Sequence, residues 1–184
     1  MNPVSRQSAE DTDLALIARW KVGDLRAATE LVGRHADSLA RFATSAGERE
    51  EIEELVQDTF VRAFSSLDAF RGESSLRTWL FTIERRLMLD RRRAERRQRS
   101  LVQIEEAEAA TEYDALDGMV AQETAIRVRA GVGALSPMQR EVFTMRVEQG
   151  LSYKEIAAIL ETSEGAARVH YHNAIRAVKE FLDD

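Results

Sequence analysis

Apolar residues recur at steps of three and four along most of this chain, the spacing that places them on one face of an α-helix. In the first half the pattern predicts four helices, at about 14–22, 25–46, 48–64 and 76–99. Turn residues separate them at Gly23-Asp24, at Ala46-Gly47 and in the segment 68–75. These helices are predicted to pack as one bundle, a first domain of residues 1–99.

The last third of the chain carries sequence signals for helix starts. Ser136 and Gln139 can form a capping box, with Pro137 at the first helical position. Ser152 and Glu155 can form a second box. With a helix at 123–133, these signals predict a second helical domain of residues 123–184.

The last two predicted helices, 153–160 and 164–182, are joined by Thr162-Ser163, which can cap the second one. This arrangement is a helix-turn-helix, which presents its second helix to the DNA major groove. One face of that helix is predicted to be core, formed by Ala167, Tyr171, Ala174, Val178 and Phe181. The candidate base-reading face carries Gly165, Arg168, Val169, His172, Asn173 and Arg176. The alternative is an ordinary solvated face of a bundle helix.

Composition fits an all-α protein, because only two prolines and nine glycines occur in 184 residues. The chain has no cysteine, so thiolate metal sites and disulfides are excluded. His170 and His172 point to different sides of a helix, so neither a metal nor another cofactor is expected. No stretch looks like a signal peptide or a membrane span, and we expect a cytoplasmic protein without membrane insertion.

Charge is distributed unevenly around a net value of −6. The segment 85–99 is rich in arginine, whereas 100–123 contains acidic residues and no lysine or arginine. The contrast predicts a DNA-facing surface in the first domain, followed by an acidic linker at 100–122.

Four motifs, in order, resemble those of the extracytoplasmic-function (ECF) sigma factors, small bacterial transcription initiation factors. The segment 13–31 is similar to the family's opening motif, and 53–62 (EELVQDTFVR) to its polymerase-binding helix. The segment 70–80 (FRGESSLRTWL) is similar to its minus-10-reading loop and helix, and 151–182 to its minus-35-binding helix-turn-helix.

This resemblance implies a non-catalytic subunit that directs core RNA polymerase to promoters and assists promoter melting. Contact with the clamp helices of the polymerase is expected at Glu54, Gln57, Asp58 and Val61, while the second domain meets the flap. Minus-10 DNA is expected at Arg71, Gly72, Glu73, Ser74, Ser75, Trp79, Arg85, Arg86, Arg92 and Arg93. Minus-35 DNA is expected at Tyr153 and Lys154 and at the base-reading face named above.

Several roles stay open within this hypothesis. Trp79 supports the minus-10 pocket or fills the bundle, and the acidic linker imitates nucleic acid in the polymerase or is a plain tether. An anti-sigma factor that clamps both domains is an expected partner.

Two rival functions share features of this sequence. One is a helix-turn-helix regulator that never joins polymerase, and the polymerase-binding helix distinguishes it. The other is a helical enzyme, for which the sequence offers no convincing set of nucleophile, base and metal ligands.

Overall fold

The computed structural model describes residues 3–102 and 121–183, and these residues form α-helices joined by turns. The first half contains α1 (Pro3–Lys21), α2 (Leu25–Ser45), α3 (Ile52–Ser65), a 3₁₀ turn (Leu67–Ala69) and α4 (Leu76–Val102). The second half contains α5 (Ala121–Gly133), α6 (Pro137–Val147), α7 (Tyr153–Leu160) and α8 (Glu164–Asp183). The predicted all-α fold is confirmed. The predicted linker lies largely outside the described residues, and α4 extends past residue 99.

Local hydrogen bonds set the helix starts in the second half. Ser136 Oγ accepts from the Gln139 N–H at 3.4 Å, and the Ser136 N–H donates to Gln139 Oε1 at 3.2 Å. Ser152 and Glu155 form the same reciprocal pair at 3.2 and 2.6 Å. Ser163 Oγ accepts from the Ala166 N–H at 3.1 Å. Both predicted capping boxes and the serine cap of α8 are therefore confirmed.

The N-terminal bundle is built around α2, which packs against α1, α3 and α4. Phe42 of α2 meets Phe81 of α4 edge-on, with ring centroids 5.0 Å apart. Trp20 of α1 packs on Phe64 of α3 at 5.0 Å. The predicted apolar faces therefore meet in a single core.

The ends of two predicted apolar stripes do not join this core. Leu14, Val22 and Leu25 are 50%, 86% and 71% exposed. Val22 and Leu25 flank the turn at Gly23, whose positive φ of 93° carries the chain away from the bundle. The apolar spacing of three and four residues continues through this turn, but the apolar side chains on either side of the turn lie outside the core.

The C-terminal domain is organised around α8, which packs against α5, α6 and α7. Ala167, Ala174 and Val178 are buried as predicted. Phe181, predicted to be core, is 40% exposed. Its ring lies over Gly131, where a Cβ would stand 3.1 Å from Phe181 Cδ1. One side of the ring is thus covered by α5, and the other faces solvent because α8 is ending.

The two domains pack against each other. Helix α7 contacts α4, and α6 contacts α2. Val142, Met145 and Ile156 of the second domain belong to the same apolar cluster as Phe42 and Phe81 of the first. The sequence predicted two domains but not this direct contact between them.

Candidate functional site

The predicted polymerase-binding residues share the outer face of α3. Glu54, Gln57 and Val61 are exposed and Asp58 is half-buried, whereas Phe60 on the opposite face is buried in the bundle. Val61 is 59% exposed, an unusual apolar residue among these polar neighbours. The face combines carboxylates, an amide and one apolar contact point, and therefore suits a basic protein partner.

Arg91 of α4 braces this acidic face from behind. Its guanidinium lies 2.9 Å from Asp58, 3.5 Å from Glu54 and 3.7 Å from Glu51. The arginine is only 25% exposed, so it holds the carboxylates in position and offers little to DNA. Sequence reasoning placed Arg91 in the arginine cluster and missed this role; the spacing within α4 alone does not show which carboxylates it meets.

The segment predicted to read the minus-10 element forms a tight loop before α4. Gly72 adopts a positive φ of 72°, a conformation that glycine tolerates best. Ser75 Oγ accepts a hydrogen bond from the Thr78 N–H at 3.1 Å and so caps the first turn of α4. Arg71 and Glu73 are exposed, and Ser74 and Ser75 are half-buried.

Trp79 packs beneath this loop. Its ring lies 5.2 Å from that of Phe70, the residue where the loop begins, and the tryptophan is half-buried. The contact supports the loop from the bundle side. This contact is compatible with both roles considered for Trp79, supporting the minus-10 pocket and filling the bundle, because the ring packs in the bundle and touches the start of the loop.

The loop forms one wall of a cleft of about 340 Å³. The opposite walls come from Asp13 and Leu14 of α1 and from α7, with Lys154, Glu155 and Ala158. The volume falls within the range of about 300–1,000 Å³ typical of ligand sites. The structure thus brings Lys154, predicted for minus-35 DNA, next to the loop predicted for minus-10 DNA.

A buried charged cluster anchors the α1 wall of the cleft. Asp13 Oδ2 lies 2.9 Å from His35 Nε2, and Asp13 Oδ1 lies 3.2 Å from Arg34 Nε. The aspartate is almost inaccessible to solvent. Sequence reasoning used Asp13 only as the start of a motif, and the distant histidine gave no local signal for the pairing.

The α4 arginines predicted to hold phosphates already have protein partners. Arg85 pairs with Glu141 of α6 at 2.9 Å, and Arg86 pairs with Glu161 at 2.9 Å. Arg92 pairs with Glu48 at 2.7 Å. Arg93 lies 3.3 Å from the exposed Asp90 of its own helix. In this conformation Arg86 and Arg93 both stay exposed to solvent, at 65% and 68%, whereas Arg85 and Arg92 are more enclosed.

The predicted base-reading face of α8 is turned to solvent. Gly165, Arg168, Val169, His172 and Arg176 are exposed, and Asn173 is half-buried. The face lies opposite the buried alanines that anchor α8, as a recognition helix requires.

Tyr153 at the start of α7 lies between two cations. The guanidinium carbons of Arg146 and Arg168 each stand 4.9 Å from its ring centroid. This stacking fixes Arg168 at the edge of the base-reading face. Tyr153 therefore positions a candidate DNA contact as well as being one itself.

Burial changes the ionisation of two glutamates. Glu84 of α4 is fully buried, and desolvation raises its pKa to about 9. Burial also raises the pKa of Glu148, while the positive charge of Arg41 acts in the opposite direction.

Within the described residues, no group of three His, Cys, Asp or Glu side chains is arranged to hold a metal ion. None of the described helices is long and apolar enough to cross a membrane.

Comparisons with known proteins match both halves of the chain to one protein family. Residues 31–98 match the family model for Sigma-70 region 2, and residues 125–178 match that for Sigma-70 region 4. The ECF RNA polymerase sigma-E factor of Haemophilus influenzae is 30% identical over 166 residues, covering 85% of this chain and 88% of that protein. The sigma-E factor of Escherichia coli K12 is 28% identical over 180 residues, covering 93% and 94%.

Two solved structures share the fold. The sigma factor RpoE of Bartonella quintana, in complex with the anti-sigma factor NepR, has a TM-score of 0.70 and 26% identity, covering 84% of this chain and 96% of that one. CnrH, in complex with the cytosolic domain of CnrY, has a TM-score of 0.67 and 31% identity, covering 94% and 97%. The resemblance found in the sequence is therefore confirmed.

Proposed function

Because the chain belongs to the ECF RNA polymerase sigma factors, we propose that its three surfaces divide the work of promoter recognition. The outer face of α3 binds core polymerase, the loop before α4 reads the minus-10 element, and α8 reads the minus-35 element. We assign residues 1–99 to the first domain, 100–122 to the linker and 123–184 to the second domain.

The observation that carries the proposal is the outward face of α3. Glu54, Gln57 and Val61 are presented to solvent, whereas Phe60 on the other side of α3 is buried in the bundle. An acidic face with one apolar side chain suits a basic protein partner, which a polymerase-bound factor requires and a regulator that only binds DNA does not. The match of residues 31–98 to Sigma-70 region 2 supports the same choice over a helix-turn-helix regulator that works without polymerase.

The minus-10 loop supports melting by offering a polar concave site to an unpaired base. Extruding a base costs a few kcal/mol, which contacts in a pocket must offset. The loop provides the hydroxyl of Ser74 and the backbone around Gly72, and Arg71 stands exposed beside them. Chemistry then belongs to the polymerase, and this chain acts as a non-enzymatic specificity subunit in the cytoplasm.

An anti-sigma factor is the third proposed partner. RpoE of Bartonella quintana was solved with the anti-sigma factor NepR, and CnrH was solved with the cytosolic domain of CnrY. The identities of 26% and 31% and the near-complete coverage support a related partner for this chain. A protein that holds both domains would cover the surfaces meant for DNA.

The polymerase contact is tested by co-elution of the purified chain with core polymerase on a size-exclusion column. Gln57→Ala is the sharpest variant, because Gln57 is exposed and its loss leaves the Arg91 pairs intact. Thr29→Ala, an exposed change on α2, serves as the matched control. We expect the control to co-elute fully and Gln57→Ala to bind at least several-fold more weakly. Failure of the unaltered chain to co-elute would overturn the proposal.

A further inference from the structure

The first arginine of the α8 face is held toward the neighbouring helix. The guanidinium carbon of Arg168 stands 4.9 Å from the ring centroid of Tyr153, the first residue of α7. In a helix-turn-helix the first helix crosses the DNA backbone, while the second lies in the major groove. The stacking therefore directs Arg168 toward a phosphate, where an arginine fixes the position of the protein without reading sequence.

The second exposed arginine of this face lies far along the helix. Arg176 is the thirteenth residue of α8, and at 1.5 Å per residue it stands about 18 Å from the helix start. Its guanidinium lies 3.9 Å from Glu180, one turn further on. Recognition helices contact base edges mainly with residues near their N-terminus. Arg176 is therefore also placed for a phosphate rather than for a base.

The two side chains between these arginines are uncharged. Val169 is 58% exposed, and Asn173 follows it by four residues and is half-buried. Residues four apart lie on the same face of a helix. They are separated by about 6 Å along the helix axis, less than two steps of about 3.4 Å between stacked bases. Val169 and Asn173 can therefore reach neighbouring base pairs.

The chemistry of these two side chains matches one kind of base pair. In the major groove adenine presents an amino donor beside an acceptor nitrogen, and a side-chain amide pairs with both. Thymine presents a methyl group, which apolar side chains contact, whereas guanine is read best by arginine or lysine. A lone exposed valine is common on protein surfaces. Here, however, it shares a turn with an amide, on the face that lies opposite the buried alanines of α8.

We propose that Val169 and Asn173 read A·T base pairs in the minus-35 element. Val169 packs on a thymine methyl group, and Asn173 makes paired hydrogen bonds to an adenine. Arg168 and Arg176 anchor α8 to the phosphates on either side. This inference rests on the proposed function, in which α8 lies in the major groove of the minus-35 element.

Binding selection with the holoenzyme tests the inference, using promoter duplexes whose minus-35 element is randomised. The unaltered chain is compared with Val169→Ala, Asn173→Arg and Arg168→Ala. We expect the unaltered chain to select A·T at two nearby base pairs. Val169→Ala should lose the preference for thymine at one, and Asn173→Arg should replace adenine by guanine at the other. Arg168→Ala should bind more weakly and keep the same preferred sequence.

The outcomes distinguish this inference from the proposed function. Selection of a defined minus-35 sequence by the unaltered chain supports the role of α8 in promoter recognition. If that sequence has G·C at the base pairs that respond to the two variants, or if neither variant changes it, the A·T reading is overturned. Selection of no minus-35 sequence at all would overturn the proposed role of α8, and the A·T reading with it.

Modified bases provide a second measurement that does not depend on the Asn173→Arg variant folding. Deoxyuridine in place of the selected thymidine removes only the methyl group, and should weaken binding of the unaltered holoenzyme about fourfold. A 7-deazaadenine in place of the selected adenine removes one acceptor, and should weaken binding about two- to tenfold. Val169→Ala should no longer distinguish thymidine from deoxyuridine, and Asn173→Ala should no longer distinguish adenine from 7-deazaadenine.

Val147→Ala is the matched control, because Val147 is a valine of similar exposure, 52%, on α6. This variant should discriminate both modified bases as the unaltered chain does. If Val169→Ala and Asn173→Ala also retain the full discrimination, these two residues do not contact the modified groups and the A·T reading is wrong. The assignment of the chain as a sigma factor would remain.

Discussion

The guanidinium of Arg85 on α4 and the carboxylate of Glu141 on α6, residues 56 positions apart in the chain, pair at 2.9 Å and are nearly out of contact with water. Removing one partner of a buried ion pair strongly lowers the free energy of unfolding of the protein, because the other partner remains charged and unpaired. The neighbouring Arg86 and Glu161 are 65% and 63% exposed, so water screens them. The two pairs should therefore respond differently to mutation.

Arg85→Ala is expected to lower the free energy of unfolding by about 1–3 kcal/mol. The loss is limited because the domains can separate and hydrate Glu141. Arg86→Ala should cost less than about 1 kcal/mol. Urea denaturation followed by circular dichroism compares them, and equal losses would mean that the Arg85 pair is not buried in solution.

Glu84 should make stability depend on pH. Its pKa is about 9 in the folded chain, well above the ordinary value of 4.5. Below about pH 4.5 the group is neutral in both states; above it the unfolded chain ionises first, so stability falls as pH rises toward 9. Glu84→Gln should be more stable than the unaltered chain at pH 8 and should show a flatter profile between pH 5 and 9.

Melting temperatures across that range provide the measurement for Glu84. Glu53→Gln, an exposed change on α3, is the control and should keep the original slope. If Glu84→Gln also keeps that slope, Glu84 is not the group responsible.

Gly72 should resist substitution because of its backbone. Nothing lies within 4 Å of a Cβ built there, but φ is +72°. Gly72→Ala should therefore cost about 1 kcal/mol through strain alone and weaken minus-10 recognition. Gly33→Ala is the matched control, with open space and a helical backbone within α2, and should stabilise the chain by up to about 1 kcal/mol. Thermal melts separate the two, and similar shifts for both would argue against the loop conformation.

Substitutions at two residues on the exposed face of α8 should have different effects, one on the affinity for DNA and the other on the sequence specificity. Arg176→Ala is expected to weaken binding to all duplexes and reduce the salt slope by about 1, as loss of a phosphate contact does. His172→Ala should instead alter which minus-35 sequences are preferred. Duplex-binding titrations of the holoenzyme at several salt concentrations measure the first effect, and binding selection from a randomised minus-35 library measures the second. An unchanged sequence preference in His172→Ala would remove that residue from the base-reading set.

Local features were predictable from the sequence because neighbouring residues determine them. The capping boxes at Ser136 and Ser152 depend on residues three positions apart, and the helix bounds of α7 follow from them. The segment Arg71–Ser75 could likewise be placed in a loop, because its own glycine and serines indicate a turn. The family motifs then indicated what these elements do.

Features that depend on distant packing were not predictable. The Arg85–Glu141 pair and the burial of Asp13 against His35 join residues that no periodicity relates. Phe181 fits the core stripe of α8, but the helix ends before its ring is enclosed. The closed arrangement of the domains is likewise a property of both surfaces together.

Run-off transcription with bacterial core polymerase on a pool of genomic promoter fragments tests the central claim most directly, with the transcript starts sequenced. Addition of this chain should produce a set of starts that share two upstream motifs near −10 and −35, and Gln57→Ala should reduce their yield. Starts that do not change when the chain is added, or that share no upstream motif, would contradict its role as a sigma factor.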